Sequence, residues 1–260
     1  MSLLADCHIH VYPEQDGAAT IRSALSHLRT HSKSDQDCFA IFLTEAHSCN
    51  WFAALKSGAV LLPDDMQVIP SPEDNCLQVN TKEGTLFIFA GRQIVSAERL
   101  EILALTQSTV PKDGASTSDI IEAVSSCGAV PVLSWAPGKW MFARSKIVKK
   151  LIAESEVPLL LGDSALRCQG WPMPAVMKET VFPLLAGSDP LPVSGEEQVA
   201  GRYGVRIEMT LDLQAPVTSV REALLNPKTP VHFIGKRGGP LNMFSRMNAH
   251  RKNKKAGTPS

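Results

Sequence analysis

Short apolar runs that end in polar, metal-competent side chains recur along this chain, and that recurrence limits the folds open to it. Leu3-Leu4-Ala5 leads into Asp6-Cys7-His8-Ile9-His10 before Tyr12-Pro13 breaks the run. Residues 38–43 end in Thr44-Glu45-Ala46-His47. Residues 129–134 end at Trp135, residues 158–161 at Gly162-Asp163-Ser164, and residues 181–186 at Gly187-Ser188-Asp189. Helical patterns separate several of them. Ile21, Leu25 and Leu28 share one face of a helix over 17–31. Ser118 heads a helix with Asp119 and Glu122 in its first turn, and Gly128 ends it. Ile147, Leu151 and Ile152 mark a helix over 145–154. Strands alternating with helices imply a parallel sheet. Adding the runs at 85–90 and 100–105, about seven strands predict one α/β domain, a distorted TIM-like (β/α)7 barrel whose reacting groups sit at the C-terminal strand ends.

The first run carries the sharpest chemistry. Side chains alternate along a strand, which puts Asp6, His8 and His10 on one face. Two imidazoles at i and i+2 can share one divalent cation, and a carboxylate two residues earlier can ligate it or orient a ring. The bland alternative is an alternating strand that happens to carry two histidines. His47 would reach the same centre if the second strand continued, with Glu45 on the same face. A helix-start carboxylate and a loop histidine explain those two equally well. Asp163 and Asp189, each at a strand end, are candidates to hold or deprotonate a metal-bound water. Lys139, Arg167 and Arg202 are candidates to hold a small anionic substrate, although each taken singly also reads as an ordinary surface cation.

Bulk properties narrow the setting. With 260 residues and 44% apolar content, the chain can bury one large core. Lys plus Arg and Asp plus Glu are both 26, but the distribution is uneven. From Val231 onward there are seven basic residues and no acid, leaving 19 basic against 26 acidic residues before it. The expected organisation is a barrel over 1–230 and a basic C-terminal extension over 231–260, frayed from Asn248. That extension offers contacts to nucleic acid or an anionic surface, though a solvated tail or a helix docked on the barrel explains it better. Residues 1–12 lack a basic n-region, no apolar run approaches the roughly 20 residues that span a bilayer, and six scattered cysteines without a CxxC pair read as reduced thiols. A cytoplasmic protein is expected.

The assembled pattern resembles the PHP (polymerase and histidinol phosphatase) superfamily, over most of residues 3–210. Asp6-Cys7-His8-Ile9-His10 looks like its opening motif, and Gly91-Arg92-Gln93-Ile94 with residues 100–105 like its middle one. Residues 129–137 look like the strand that ends in a His-Pro pair, and Gly187-Ser188-Asp189 like the closing Gly-Ser-Asp. Three positions depart. Gln93 stands where the family usually has Glu, Trp135 stands in a His place, and Pro190-Leu191 stand where a His would follow. The resemblance therefore implies a metal-dependent hydrolase of phosphoesterase type with a reduced site. One zinc or manganese ion would be held by His8, His10 and Asp189, with Glu45, His47 or Asp163 as fourth ligand or base. The related amidohydrolase barrels also open with a His-x-His strand and close with an Asp. The competing function is a degenerate barrel, without catalysis, that serves as a binding or assembly module.

Overall fold

The computed structural model describes residues 1–255 and contains two mixed sheets flanked by helices. The strands are β1 (Leu3–Ile9), β2 (Cys38–Leu43), β3 (Gln67–Pro70), β4 (Cys76–Thr81), β5 (Gly84–Phe89), β6 (Gly91–Val95), β7 (Glu101–Leu105), β8 (Val130–Ser134), β9 (Leu160–Ser164), β10 (Leu184–Gly187), β11 (Tyr203–Ile207) and β12 (Val231–Gly235). The α-helices are α1 (Gly17–Arg29), α2 (Trp51–Lys56), α3 (Thr117–Ser126), α4 (Ala143–Glu154), α5 (Pro216–Leu225) and α6 (Pro240–Lys255). One sheet runs β12-β11-β1-β2-β5-β4-β3, the other β10-β9-β8-β7-β6.

This corrects the expected closed seven-stranded barrel. Antiparallel hairpins β3–β4–β5 and β6–β7 interrupt the strand–helix alternation, and β11–β12 adds a further antiparallel ribbon. The short connections within β3–β4–β5 and β6–β7 cannot carry a crossover helix, so the strands they join run antiparallel; β11 and β12 are antiparallel although α5 lies between them. The sheets meet without a continuous ladder. Among the described residues the only strand-type bridge between them is Glu45 with Arg92, at the end of β2. At the other seam the Asp189 N–H donates to His8 O over 3.0 Å.

Three apolar layers hold the sheets. Leu3, Ala5 and Cys7 of β1 face a shared interior with Phe42, Phe89, Leu103, Val132, Leu160 and Val205, which α5 plugs with Val217, Val220 and Leu224. Leu4 and Ile9 pack instead under α1 with Ile21 and Leu28. The second sheet is covered by α3 and α4 through Ile120, Val124, Val148 and Leu151. The cap of α3 is Ser116, whose Oγ accepts from Asp119 N at 3.2 Å; the expected Ser118 lies inside the helix.

Leu4 and Ile9 lie on the same side although they are five positions apart, which strict alternation forbids. The register of β1 against β2 shifts between Asp6 and Ile9 and absorbs the extra residue. Residues 248–255 are the last turns of α6. The remainder of the stretch expected to fray, 256–260, lies outside the described residues.

Candidate metal centre

The bulge in β1 sets the site. It takes Asp6 out of phase with His8 and His10. Asp6 accepts instead from the backbone N–H groups of His8, Ser188 and Gly201, at 3.2, 3.0 and 2.8 Å, tying β1 to the segments after β10 and before β11. Burial drives its carboxyl up to about 6 against those bonds. Past the bulge, His8 Nε2 and His10 Nε2 face each other at 3.0 Å. Asp189 Oδ1 lies 3.6 Å from the first and 3.8 Å from the second. All three residues are buried, and their ligand atoms lie within 4.8 Å of one another.

Chain geometry brings Asp189 there. At Gly187 β10 passes so close to β1 that a Cβ would fall 2.8 Å from His8 Cα and closer still to His8 Cβ and N. Two residues on, Asp189 adopts a left-handed backbone at φ 51°, a conformation that persists only where its surroundings over-determine it. Ser164 Oγ donates to Asp189 Oδ2 at 2.8 Å, leaving Oδ1 for the imidazoles. Burial raises the Asp189 carboxyl, but His8, His10, Ser164 and Arg246 outweigh that and hold it below its ordinary range. Burial first, and the charge of His8 second, drive His10 down to about 3, so its ring is neutral at pH 7. Ser134 Oγ sits 3.3 Å from His8 Nδ1, where it can accept a hydrogen bond from an Nδ1–H and leave Nε2 as the lone-pair side.

The donor set fits a divalent cation. Around a tetrahedral zinc with bonds of about 2.0–2.1 Å, donors lie roughly 3.3 Å apart, and the three distances here bracket that value. A neutral imidazole and an ionised carboxylate are the forms that bind metal without releasing a proton. Gln93 Oε1, 3.2 Å from His8 Nε2, adds a neutral oxygen. Tyr12 stacks on the His10 ring with centroids 5.3 Å apart. A cavity of about 470 Å³ opens over the group, lined among others by Tyr12, His47, Gln93, Glu101, Leu191 and His250.

The other expected site residues fall around this group in different ways. Glu45 accepts from Phe52 N at 2.9 Å at the start of α2, the helix-start placement, and lies outside the His–Asp group with a carboxyl raised by burial. His47 also lies outside the group and lines the cavity beside Gln93. Asp163 is spent on Arg167 and Tyr203: Arg167 Nε and Nη2 donate to it at 2.7 and 2.5 Å, and the Tyr203 hydroxyl donates at 2.7 Å. Arg167 is thus a buried internal partner rather than a free clamp. Lys139 Nζ lies 3.1 Å from Glu101 Oε1 at the cavity edge. Arg202 is exposed before β11, outside the cavity lining. Trp135 packs into the core under α3 and α4 with Trp140.

Ser134, Ser164, Glu101 and Arg246 escaped the sequence reading. One signal was present: Arg167 stands four residues after Asp163, an ion-pair spacing that consumes the aspartate and turns attention to its neighbour Ser164.

No protein-family model matches the chain, and no curated protein matches it in sequence. A two-sheet α/β fold with a buried His–His–Asp group defines the class. Its fold is shared with PsfC from Pseudomonas syringae PB-5123, at 14% identity and a TM-score of 0.59 over 97% of this chain and 99% of that one. It is also similar to the lesion-specific endonuclease PfuEndoQ from Pyrococcus furiosus, at 13% identity and a TM-score of 0.54 over 90% of this chain and 59% of that one. No helix among the described residues is long and apolar enough to cross a membrane.

Proposed function

We propose that the protein is a divalent-metal-dependent hydrolase of phosphoester bonds, a divergent member of the PHP superfamily working with one zinc or manganese ion. The observation that carries this reading is the convergence of His8 Nε2, His10 Nε2 and Asp189 Oδ1 under an open cavity. Sharing a fold with an endonuclease supports phosphoester chemistry as the reaction class.

When bound, a divalent cation there supplies a water whose pKa falls to about 7 and an electrophile for the phosphoryl oxygen. The residues do the rest. His8 and His10 present ring nitrogens from one strand end. Asp189, ionised and fixed by Ser164, is placed to hold the proton of the attacking water. Gln93 contributes an amide oxygen where the family usually carries a charge, which favours one ion over a bridged pair. Lys139, held 3.1 Å from Glu101 of the cavity lining, is the candidate cation for a phosphate oxygen. Asp163 is left with a structural role. The small anionic substrate enters through the cavity. Nucleic acid is a second candidate substrate, through the basic residues of α6.

Gln93 and the inward-packed Trp135 are the features that favour the alternative of a binding module without catalysis. Metal analysis joined to a panel of phosphomonoesters, phosphodiesters and carboxyl esters separates the two. The hydrolase reading expects about one zinc or manganese per chain, lost in His8→Ala and His10→Ala, together with phosphoester turnover. A chain that stays metal-free in supplemented medium refutes it; metal uptake without turnover of any ester favours the binding module.

A further inference from the structure

The basic C-terminal helix is tied to the metal group. Arg246, His250 and Asn253 stand at i, i+4 and i+7 of α6, so they share one face. Arg246 Nη2 donates to Asp189 O at 3.0 Å and to Glu196 Oε2 at 2.6 Å, while its Nε reaches Glu196 Oε1 at 2.9 Å. Glu196 in turn accepts from Leu191 N at 3.0 Å. Asn253 Nδ2 donates to Pro192 O at 2.6 Å, and His250 lines the cavity between these anchors. The segment fastened in this way, 189–196, begins with the one carboxylate of the metal group, in its left-handed conformation. Arg246 and Glu196 are both buried.

On the reading of the site given above, we propose that Arg246 is a positioning residue for the metal group. It sets the Asp189 carboxylate by holding that residue's carbonyl and, through Glu196, the turn that follows. The planar guanidinium is needed because it serves a carbonyl and both oxygens of a carboxylate at once. An ammonium is a single point charge and cannot keep all three contacts. One basic residue of the extension thereby has a specific task that nucleic-acid contact does not explain.

The test compares Arg246→Lys and Glu196→Gln with the unaltered full-length chain. It uses zinc affinity measured by chelator competition, the visible absorption of the cobalt(II)-loaded protein, and urea denaturation. Partners that orient ligands are worth about 10–100-fold in metal affinity. Both variants are therefore expected to remain folded at working temperature, to bind zinc at least about tenfold more weakly, and to show an altered cobalt spectrum. Phe244→Ser, on the exposed side of α6, should leave both readouts unchanged. Folded variants with unchanged zinc affinity and cobalt spectrum overturn the proposal. So does an affinity loss that merely tracks the unfolded fraction. An unaltered chain that takes up neither ion overturns the metal reading itself, and this proposal with it.

Discussion

Replacing Gly187 by alanine should damage stability and the metal group together. The added methyl would meet His8 Cα at 2.8 Å and two further His8 atoms more closely, whereas carbon atoms rest at about 3.5–4.0 Å. Since those atoms belong to backbone and Cβ, no rotamer change relieves them, and β10 must draw back from β1 by about 1 Å. Overpacking of this kind costs about 1–3 kcal/mol, which for a chain of this length lowers the melting temperature by roughly 2–12 °C. Asp189, two residues further on, moves with the strand. Its 3.6 and 3.8 Å separations from the imidazoles widen, and zinc affinity should fall by about 10-fold or more. Gly239→Ala, where an added Cβ meets nothing within 4 Å, is the control and should stay within about 0.5 kcal/mol. Thermal denaturation and chelator competition read both quantities. Wild-type stability with wild-type zinc affinity in Gly187→Ala would refute the close approach of the two strands.

Other perturbations have equally definite outcomes. Asp163→Ala leaves the buried Arg167 guanidinium without its carboxylate and should cost about 3–5 kcal/mol in urea denaturation; a loss below about 1 kcal/mol would contradict a structural role. Asp37, bonded to Ser2 N and Arg206, is raised by burial but lowered further by Lys33 N and Arg206, so its carboxyl sits below 3.8. A depressed acid stabilises the fold above the unfolded value and loses that contribution as pH falls through the folded one. The stability gap between the wild type and Asp37→Asn should therefore be full at pH 6 and close as pH falls below about 4; a gap that is constant with pH would refute the assignment. Ser164→Ala frees Asp189 Oδ2 and is expected to weaken zinc binding about tenfold, measured by isothermal titration.

Much of the core was legible because apolar runs report burial directly. The strands β1, β2, β5 and β8 and the helices α1, α3 and α4 sit where the periodicity put them, within a few residues. The closed barrel was not, because hairpins and crossovers differ in connection geometry rather than in strand composition. Gly91–Val95 reads as a connector until its pairing with β7 is known. A docked helix was one of two readings of the basic extension, but its composition hid the bounds and docking face of α6: a mostly polar sequence gives no apolar stripe, and its fixed face is held by Arg246 and Asn253 instead. For the site, the sequence placed His8, His10 and Asp189 at strand ends, but alternation alone wrongly joined Asp6 to them. The bulge that separates them arises from pairing with β2, which is a property of two strands at once.

The position of β1 has a consequence for how the protein is made. This strand is synthesised before both of its neighbours, yet it lies inside its sheet, between β2 and the late strand β11. At about 5–20 residues per second, some 10–30 s separate the emergence of those two neighbours from the ribosome. Throughout that interval one edge of β1 presents unpaired amides and carbonyls on an apolar strand, a template for pairing with another chain. Growing chains that stop short of Ile207 should therefore associate with one another instead of settling into a smaller folded unit.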